Sequence, residues 1–180
     1  MIQDARSDFK LSKVFPDLAN RWKKARENML AATGRQIRAT SGYRSFTEQW
    51  ELWGKGRLKE KSGVWVICDE KLVVTHARPG SSLHQFGLAI DSCFDGLDPY
   101  LEKLPRAECN ATWDILGKMF TNEGMTWGGK WPGAKMDRPH CQMMYGLSIH
   151  TIQIAYENHG INSVWNMCKN AMLCGNESVL

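Results

Sequence analysis

The sequence lacks any long apolar run. Its apolar stretches are short, such as Val64–Cys68, and a membrane-spanning helix needs about 20 apolar residues. Membrane insertion is therefore not expected. The opening Met1-Ile2-Gln3-Asp4-Ala5-Arg6 has no basic segment followed by an apolar one, so no signal peptide is expected and the product is expected to begin in a cytoplasm. The six cysteines (68, 93, 109, 141, 168, 174) contain no CxxC pair. Reduced thiols are expected rather than a disulfide framework. Neither charge sign dominates: Lys+Arg is 23 and Asp+Glu is 19, for a net charge of +4. That surplus is too weak to argue for nucleic acid, yet it suits an anionic polymer. The sequence has no internal repeat and no low-complexity linker. The segment after Tyr145 is too short for an independent binding domain.

The 180 residues fit one domain, and 43% hydrophobic residues supply an ordinary core. Eight Trp and sixteen Gly are many for this length and point to shaped loops. Residues 1–17 are mixed and polar. Leu18, Trp22, Ala25 and Met29 recur at helical spacing, with Gly34 as a stop. Gln36–Thr40 reads as a strand. Ser45 followed by Glu48 predicts a capping box and a helix reaching Gly54. Val64–Cys68, Leu72–Thr75, Gly87–Cys93 and Pro139–Tyr145 read as strands, and Ala107–Phe120, Ser148–Asn158 and Ser163–Leu173 as helices. Gly128, Gly129, Pro132 and Gly133 make a turn-rich loop. The predicted class is α+β, a small antiparallel sheet with flanking helices. Its core would span about residues 36–145, with C-terminal helices (148–173) packed on it.

Two segments carry chemistry. One is Pro79-Gly80-Ser81-Ser82-Leu83-His84-Gln85-Phe86-Gly87-Leu88-Ala89-Ile90-Asp91. The other is Trp127-Gly128-Gly129-Lys130-Trp131, followed by Asp137-Arg138-Pro139-His140-Cys141-Gln142. Alternation along a strand places Gly87, Ala89 and Asp91 on one face. Only small residues precede the carboxylate there, so open space is expected beside it. His140 and Gln142 share a face of the second strand. If His140 meets His84 and Asp91, two imidazoles and a carboxylate leave one position open, as in catalytic zinc sites. Asp137 would then be a second carboxylate that coordination does not need, available as general base and later general acid. Each residue also has an ordinary reading: a structural histidine on a strand, a capping Asp91, a turn-forming Asp137.

Ser82-x-His84-x-x-Gly87-x-Ala89-x-Asp91 and Asp137-x-Pro139-His140-x-Gln142 resemble the two signatures of zinc peptidases of the D-alanyl-D-alanine carboxypeptidase (VanY-like) type. Ser41-Gly42-Tyr43-Arg44-Ser45 resembles a third block. The Trp127-Gly128-Gly129-x-Trp131 loop resembles the branch of phage L-alanyl-D-glutamate endopeptidases, the endolysins. The resemblance spans about Gln36–Tyr145. It implies a Hedgehog/DD-peptidase-like fold, with Zn²⁺ held by His84, Asp91 and His140 and with Asp137 as catalytic carboxylate. Arg44 is read as an oxyanion or substrate-carboxylate partner, or else as a surface arginine before a helix. Ser82 would touch substrate or bond its own turn. Trp127 and Trp131 would wall the groove or pin the glycine loop. Gln142 would reach the peptide or support a ligand. His76, His150 and His159 receive no role. Cys141 is expected to point away from His140 into the core, and Cys93, on the same strand face as Asp91, to pack below the site rather than serve as an extra soft ligand.

The resemblance implies a metallopeptidase whose partner is bacterial peptidoglycan, a monomer waiting in the host cytoplasm until a separate pore-forming protein gives it access to the periplasm and wall. The alternatives are a D-alanyl-D-alanine carboxypeptidase or dipeptidase, and a non-catalytic, metal-stabilised wall-binding module. The turn Asp95-Gly96-Leu97-Asp98 is read as an ordinary turn rather than a cation site.

Overall fold

A computed structural model describes residues 4–177; residues 1–3 of the opening segment and residues 178–180 lie outside it. The chain forms helices α1 (Ala5–Leu11) and α2 (Pro16–Thr33), strand β1 (Ile37–Ser41) and helix α3 (Phe46–Gly54). A small hairpin follows, β2 (Arg57–Lys59) and β3 (Trp65–Ile67). Then come strand β4 (Ala89–Phe94), helix α4 (Arg106–Asn122), strands β5 (Thr126–Trp127) and β6 (His140–Gln142), and helix α5 (Ile149–Glu177). Four strands make one antiparallel sheet in the order β1-β4-β6-β5, and β2-β3 stand apart. This is the α+β arrangement that the sequence pattern predicts. Among the described residues no helix is long and apolar enough to cross a membrane.

The two faces of β4 have different tasks. Ile90, Ser92 and Phe94 alternate onto one face. Trp22 of α2 donates its indole N–H to Ser92 Oγ at 2.9 Å, and Phe94 meets Trp113 of α4 edge-on, with ring centroids 4.8 Å apart. The helical layer therefore covers this face. The apolar stripe Leu18, Trp22, Ala25 and Met29 is fully buried as its spacing requires. α2 ends at Gly34, whose left-handed φ of 69° lets its N–H return to the Leu30 carbonyl. Asp91 alternates onto the opposite face, toward the cleft described below.

Other elements depart from the sequence pattern. α1 forms within a segment that carries no apolar period. Asp4 caps it by accepting from the Ser7 N–H, and the buried Ser7 hydroxyl accepts from Ala39 N of β1 at 2.8 Å. The expected strand at Leu72–Thr75 does not form: Glu70–Leu72 is one 3₁₀ turn, and Val73–Ala77 runs on as a strap. Side chains hold that strap in place of a ladder, with Arg57 bonded to the Thr75 carbonyl and Gln49 to the Ala77 carbonyl. The two expected C-terminal helices form one run, interrupted at Gly160 (φ 70°, ψ −167°). It packs on the core through Ile152, Val164 and Cys168, all fully buried. Asp98, in the acidic turn, is spent on the backbone N–H groups of Glu102 and Lys103.

Replacing Ser92 with Ala would leave the Trp22 N–H buried without its acceptor. Such a loss costs about 1–3 kcal/mol, or about 2–4 °C of Tm per kcal/mol at this chain length. Thermal unfolding should show that loss with metal binding retained, because Ser92 faces away from the cleft. An unchanged Tm would show that the bond contributes nothing.

Candidate active site

The register of the sheet creates the first contact. Asp91 of β4 lies directly opposite His140 of β6, so both side chains project from the same face at cross-strand distance. His140 Nδ1 is 3.0 Å from Asp91 Oδ1. Seven residues before Asp91, the 3₁₀ turn Leu83–Phe86 swings His84 under the same carboxylate, with Nε2 3.2 Å from Oδ1. The rings stand edge to face, centroids 5.1 Å apart. One ligand atom from each of His84, Asp91 and His140 lies within 4.8 Å of the others, and both histidines are buried.

Each imidazole is also held from behind. His84 Nδ1 meets the Gly42 carbonyl at 2.7 Å, and His140 Nε2 meets Gln142 Oε1 at 3.0 Å. With those outward nitrogens donating, the inward nitrogens, which hydrogen-bond Asp91 here, are the ones whose lone pairs a metal ion would take. Ligating histidines are characteristically oriented in this way, and an N, N, O donor set suits Zn²⁺. The residues present therefore fit the ion that the sequence resemblance implies. Gly42 has a steric reason to be glycine: a Cβ there would sit 2.6 Å from the Lys10 carbonyl oxygen and 2.8 Å from a Val14 methyl. Close approach to the end of α1 brings the Gly42 carbonyl to His84. Burial alone would raise the Asp91 carboxyl, but His84 and His140 hold it well below the usual carboxylate range. Burial alone would lower His140, and the hydrogen bond and charge of Asp91 instead hold it above the ordinary imidazole value.

These three residues line a cleft of about 540 Å³ together with Arg44, Ser82, Trp131, Asp137 and Gln142. Arg44 is not a loose surface side chain. Its guanidinium lies 3.5 Å from Asp91 Oδ2 and donates to Gln49 Oε1 at 2.9 Å and to Ser41 Oγ at 3.3 Å. Burial and then the charge of Asp91 raise the Asp137 carboxyl above the ordinary aspartate value. Ser82 lines the cleft, and its hydroxyl makes no cap bond to its own turn. Trp131 lies against His140, ring centroids 5.0 Å apart.

Two expectations need correction. Trp127 is not a groove wall. It is buried, does not line the cleft, and donates its indole N–H to the Arg138 carbonyl at 2.8 Å. A Cβ on Gly117 or on Gly129 would each fall 2.1 Å from its ring. Trp127 thus fills the space those two glycines leave and pins the loop. That loop positions Asp137, whose N–H donates to the Gly128 carbonyl at 3.0 Å. Nor is the whole strand face beside Asp91 open. At Gly87 the space holds the Trp165 indole, 3.1 Å from where a Cβ would stand, and Ala89 is fully buried. Room for a ligand begins only at Asp91.

Cys141 is fully buried with its thiol against the Ile90 carbonyl, and burial pushes that thiol well up. Cys93 is buried and accepts from Arg38 Nε rather than joining the donor set. Two supporting groups escaped the sequence reading, the Gly42 carbonyl and Gln49. Gln49 is fully buried and bridges Arg44 to the Ala77 carbonyl. Its position four residues before the buried Trp53, on the inner face of α3, was the available signal.

Residues 75–143 match the family model described as D-alanyl-D-alanine carboxypeptidase; His84, Asp91, Asp137 and His140 fall inside the match and Arg44 outside it. The chain is 33% identical over 118 residues to the peptidoglycan L-alanyl-D-glutamate endopeptidase CwlK of Bacillus subtilis (strain 168). That alignment covers 63% of this chain and 64% of the relative, just under two thirds of its length. Among solved structures, the Serratia marcescens L-Ala D-Glu endopeptidase ChiX is similar at 22% identity and TM-score 0.45, covering 78% of this chain and 88% of that one. The LD-carboxypeptidase LdcB is similar at 20% identity and TM-score 0.49, covering 85% and 68%. The segment 75–143, which carries His84, Asp91, Asp137 and His140, is thus similar to the D-alanyl-D-alanine carboxypeptidase family of peptidases.

Proposed function

We propose that the protein is a zinc-dependent endopeptidase that cuts the L-alanyl-D-glutamate bond of bacterial peptidoglycan stem peptides. The observation that carries this reading is the convergence of His84, Asp91 and His140 in a cleft that also holds Asp137 and Arg44. The bond is the one named for the Bacillus subtilis relative. A cleft that continues past Asp137, sharing Val74, Thr75, Ala77 and Trp131 with a second hollow, supports a substrate extending to both sides of the scissile bond.

Zn²⁺ bound by the two imidazoles and Asp91 would supply Lewis acidity and lower the pKa of a bound water to about 7. Asp137 takes a proton from the attacking water and returns it to the leaving amine nitrogen. Arg44, held by Gln49 and Ser41, donates to the oxyanion that develops on the scissile carbonyl. Gly42 and Gln142 keep the two imidazoles in their working orientation. Leu52, Val74, Met144 and Ile149 line the same cleft and exclude water from part of it, and Ser82 offers a hydroxyl to the peptide.

The lytic setting rests on the resemblance of the Trp127–Trp131 loop to the phage branch. In this reading the enzyme is an endolysin that leaves the host cytoplasm through a pore made by another protein and attacks the wall. The net charge of +4 favours approach to an anionic envelope. Turbidity loss of outer-membrane-permeabilised cells, abolished by a chelator, is the result expected.

Elemental analysis together with mass spectrometry of digested peptidoglycan tests the enzymatic reading. Bound zinc and new N-terminal D-glutamate ends support it, and His84→Ala should lose both. Released D-alanine would make the protein a carboxypeptidase, and no product from zinc-loaded protein would make it a binding module. Asp137→Ala should keep zinc and fold but lose about 10²–10⁴ of kcat, the usual worth of a general acid–base. A wild-type rate would remove Asp137 from the mechanism. Because the base must be ionised, kcat/KM should fall as pH drops through the Asp137 pKa. That acid limb should vanish from the residual activity of Asp137→Ala.

A further inference from the structure

The second hollow, of about 470 Å³, lies beyond Asp137 and is bounded by the strap Val73–Ala77 and the turn Ala134–Met136. It shares Asp137 and Trp131 with the main cleft but is not lined by Arg44, His84, Asp91 or His140. That asymmetry gives the groove a direction. The acyl half of a substrate must place its carbonyl oxygen at Arg44 and the three-residue centre. The amine half needs only the group that protonates it, Asp137. The hollow that Asp137 borders, without Arg44 or the three-residue centre, is therefore the leaving-group side.

The titratable side chains lining this hollow, apart from Asp137 itself, are His76 and Lys135. Both are exposed, and neither makes an ion pair with a carboxylate among the described residues. The strap that carries His76 is anchored on both sides of it, at Thr75 by Arg57 and at Ala77 by Gln49. Gln49 is also the residue that holds Arg44, so the wall of the hollow and the oxyanion donor share one support. Lys135 stands two residues before Asp137, on a 3₁₀ turn closed by the Met136 N–H to the Gly133 carbonyl.

We infer that this hollow is the subsite for the leaving half of the substrate, and that Lys135, assisted by His76, recognises a free carboxylate next to the scissile nitrogen. The inference rests on the endopeptidase reading and deepens it. A glutamyl residue with its nitrogen in the scissile amide has two carboxyl groups. Whichever of them carries the chain onward, the other remains an anion close to the reacting atoms. A lysine beyond the proton donor meets that anion, while the apolar Val73, Val74 and Met136 accommodate the aliphatic part of the same residue.

The test compares two synthetic stem peptides, one with a free carboxylate on the D-glutamyl residue and one with that carboxylate converted to the amide. Lys135 is exposed and outside the metal centre, so Lys135→Ala should keep wild-type zinc content and thermal stability. Its KM for the free acid should rise roughly fivefold, the worth of one solvent-accessible ion pair, with kcat unchanged. Its KM for the amide should not move. Lys135→Glu should widen the gap between the two peptides further. Equal losses on both peptides, or no loss on either, would overturn the subsite. Cleavage of neither peptide by zinc-loaded wild-type protein would overturn the endopeptidase reading itself, and this inference with it.

Discussion

The pairing of β4 with β6 is the constraint on which the site depends. Asp91 and His140 face each other because the two strands are in one register and no other. A slip of one residue would exchange faces along the strand: Cys141 would come to the cleft and the imidazole would be driven into the core. What holds the register lies on the far side of the sheet. Ile90 and Phe94 are fully or nearly fully buried, Ser92 is bonded to Trp22, and Cys141 is fully buried opposite Ile90. The helical layer thus helps to place the Asp91–His140 pair from the far side of the sheet.

A second set of supports works by close approach of backbone. Gly42 lies so near the end of α1 that a side chain would not fit, and its carbonyl orients His84. Gly128 presses against the Asp137 carbonyl and accepts from the Asp137 N–H, while Trp127 fills the space beside Gly117 and Gly129. These contacts explain glycine and tryptophan enrichment without assigning every such residue to substrate. They also separate two kinds of tryptophan in one short loop: Trp127 is a spacer inside the protein, whereas Trp131 lines the cleft and rests on His140.

The legible parts of the fold were those governed by local physics. The stripe of α2, the Ser45–Glu48 capping box and the glycine stop at residue 34 are short-range effects, and they appear where their spacing puts them. α1 was illegible because its stability comes from a cap at Asp4 and a bond from Ser7 to a strand more than thirty residues away. The strap after β3 looked like a strand because Val73, Val74 and Thr75 are β-formers. No neighbouring strand accepts them, and two side chains from other elements fix the strap instead. Gln49 was overlooked for a related reason: its partners, Arg44 and Ala77, come together only after α3 and the strap have packed.

The chain alone determined the chemistry available: two histidines and two aspartates among glycines, at strand spacing, in an order resembling one peptidase family. It also determined that Asp91 and His140 sit on strands whose alternate residues belong in a core. Only the tertiary structure decided that His84 and His140, 56 positions apart in the numbering, meet on one carboxylate, that Arg44 is held at that same carboxylate, and that the space beside Gly87 belongs to Trp165. The reason is physical. Residue type and periodicity are encoded locally, whereas coordination and enclosure need groups distant in the chain to arrive within a few ångströms, and that arrival is set by how helices and sheet pack.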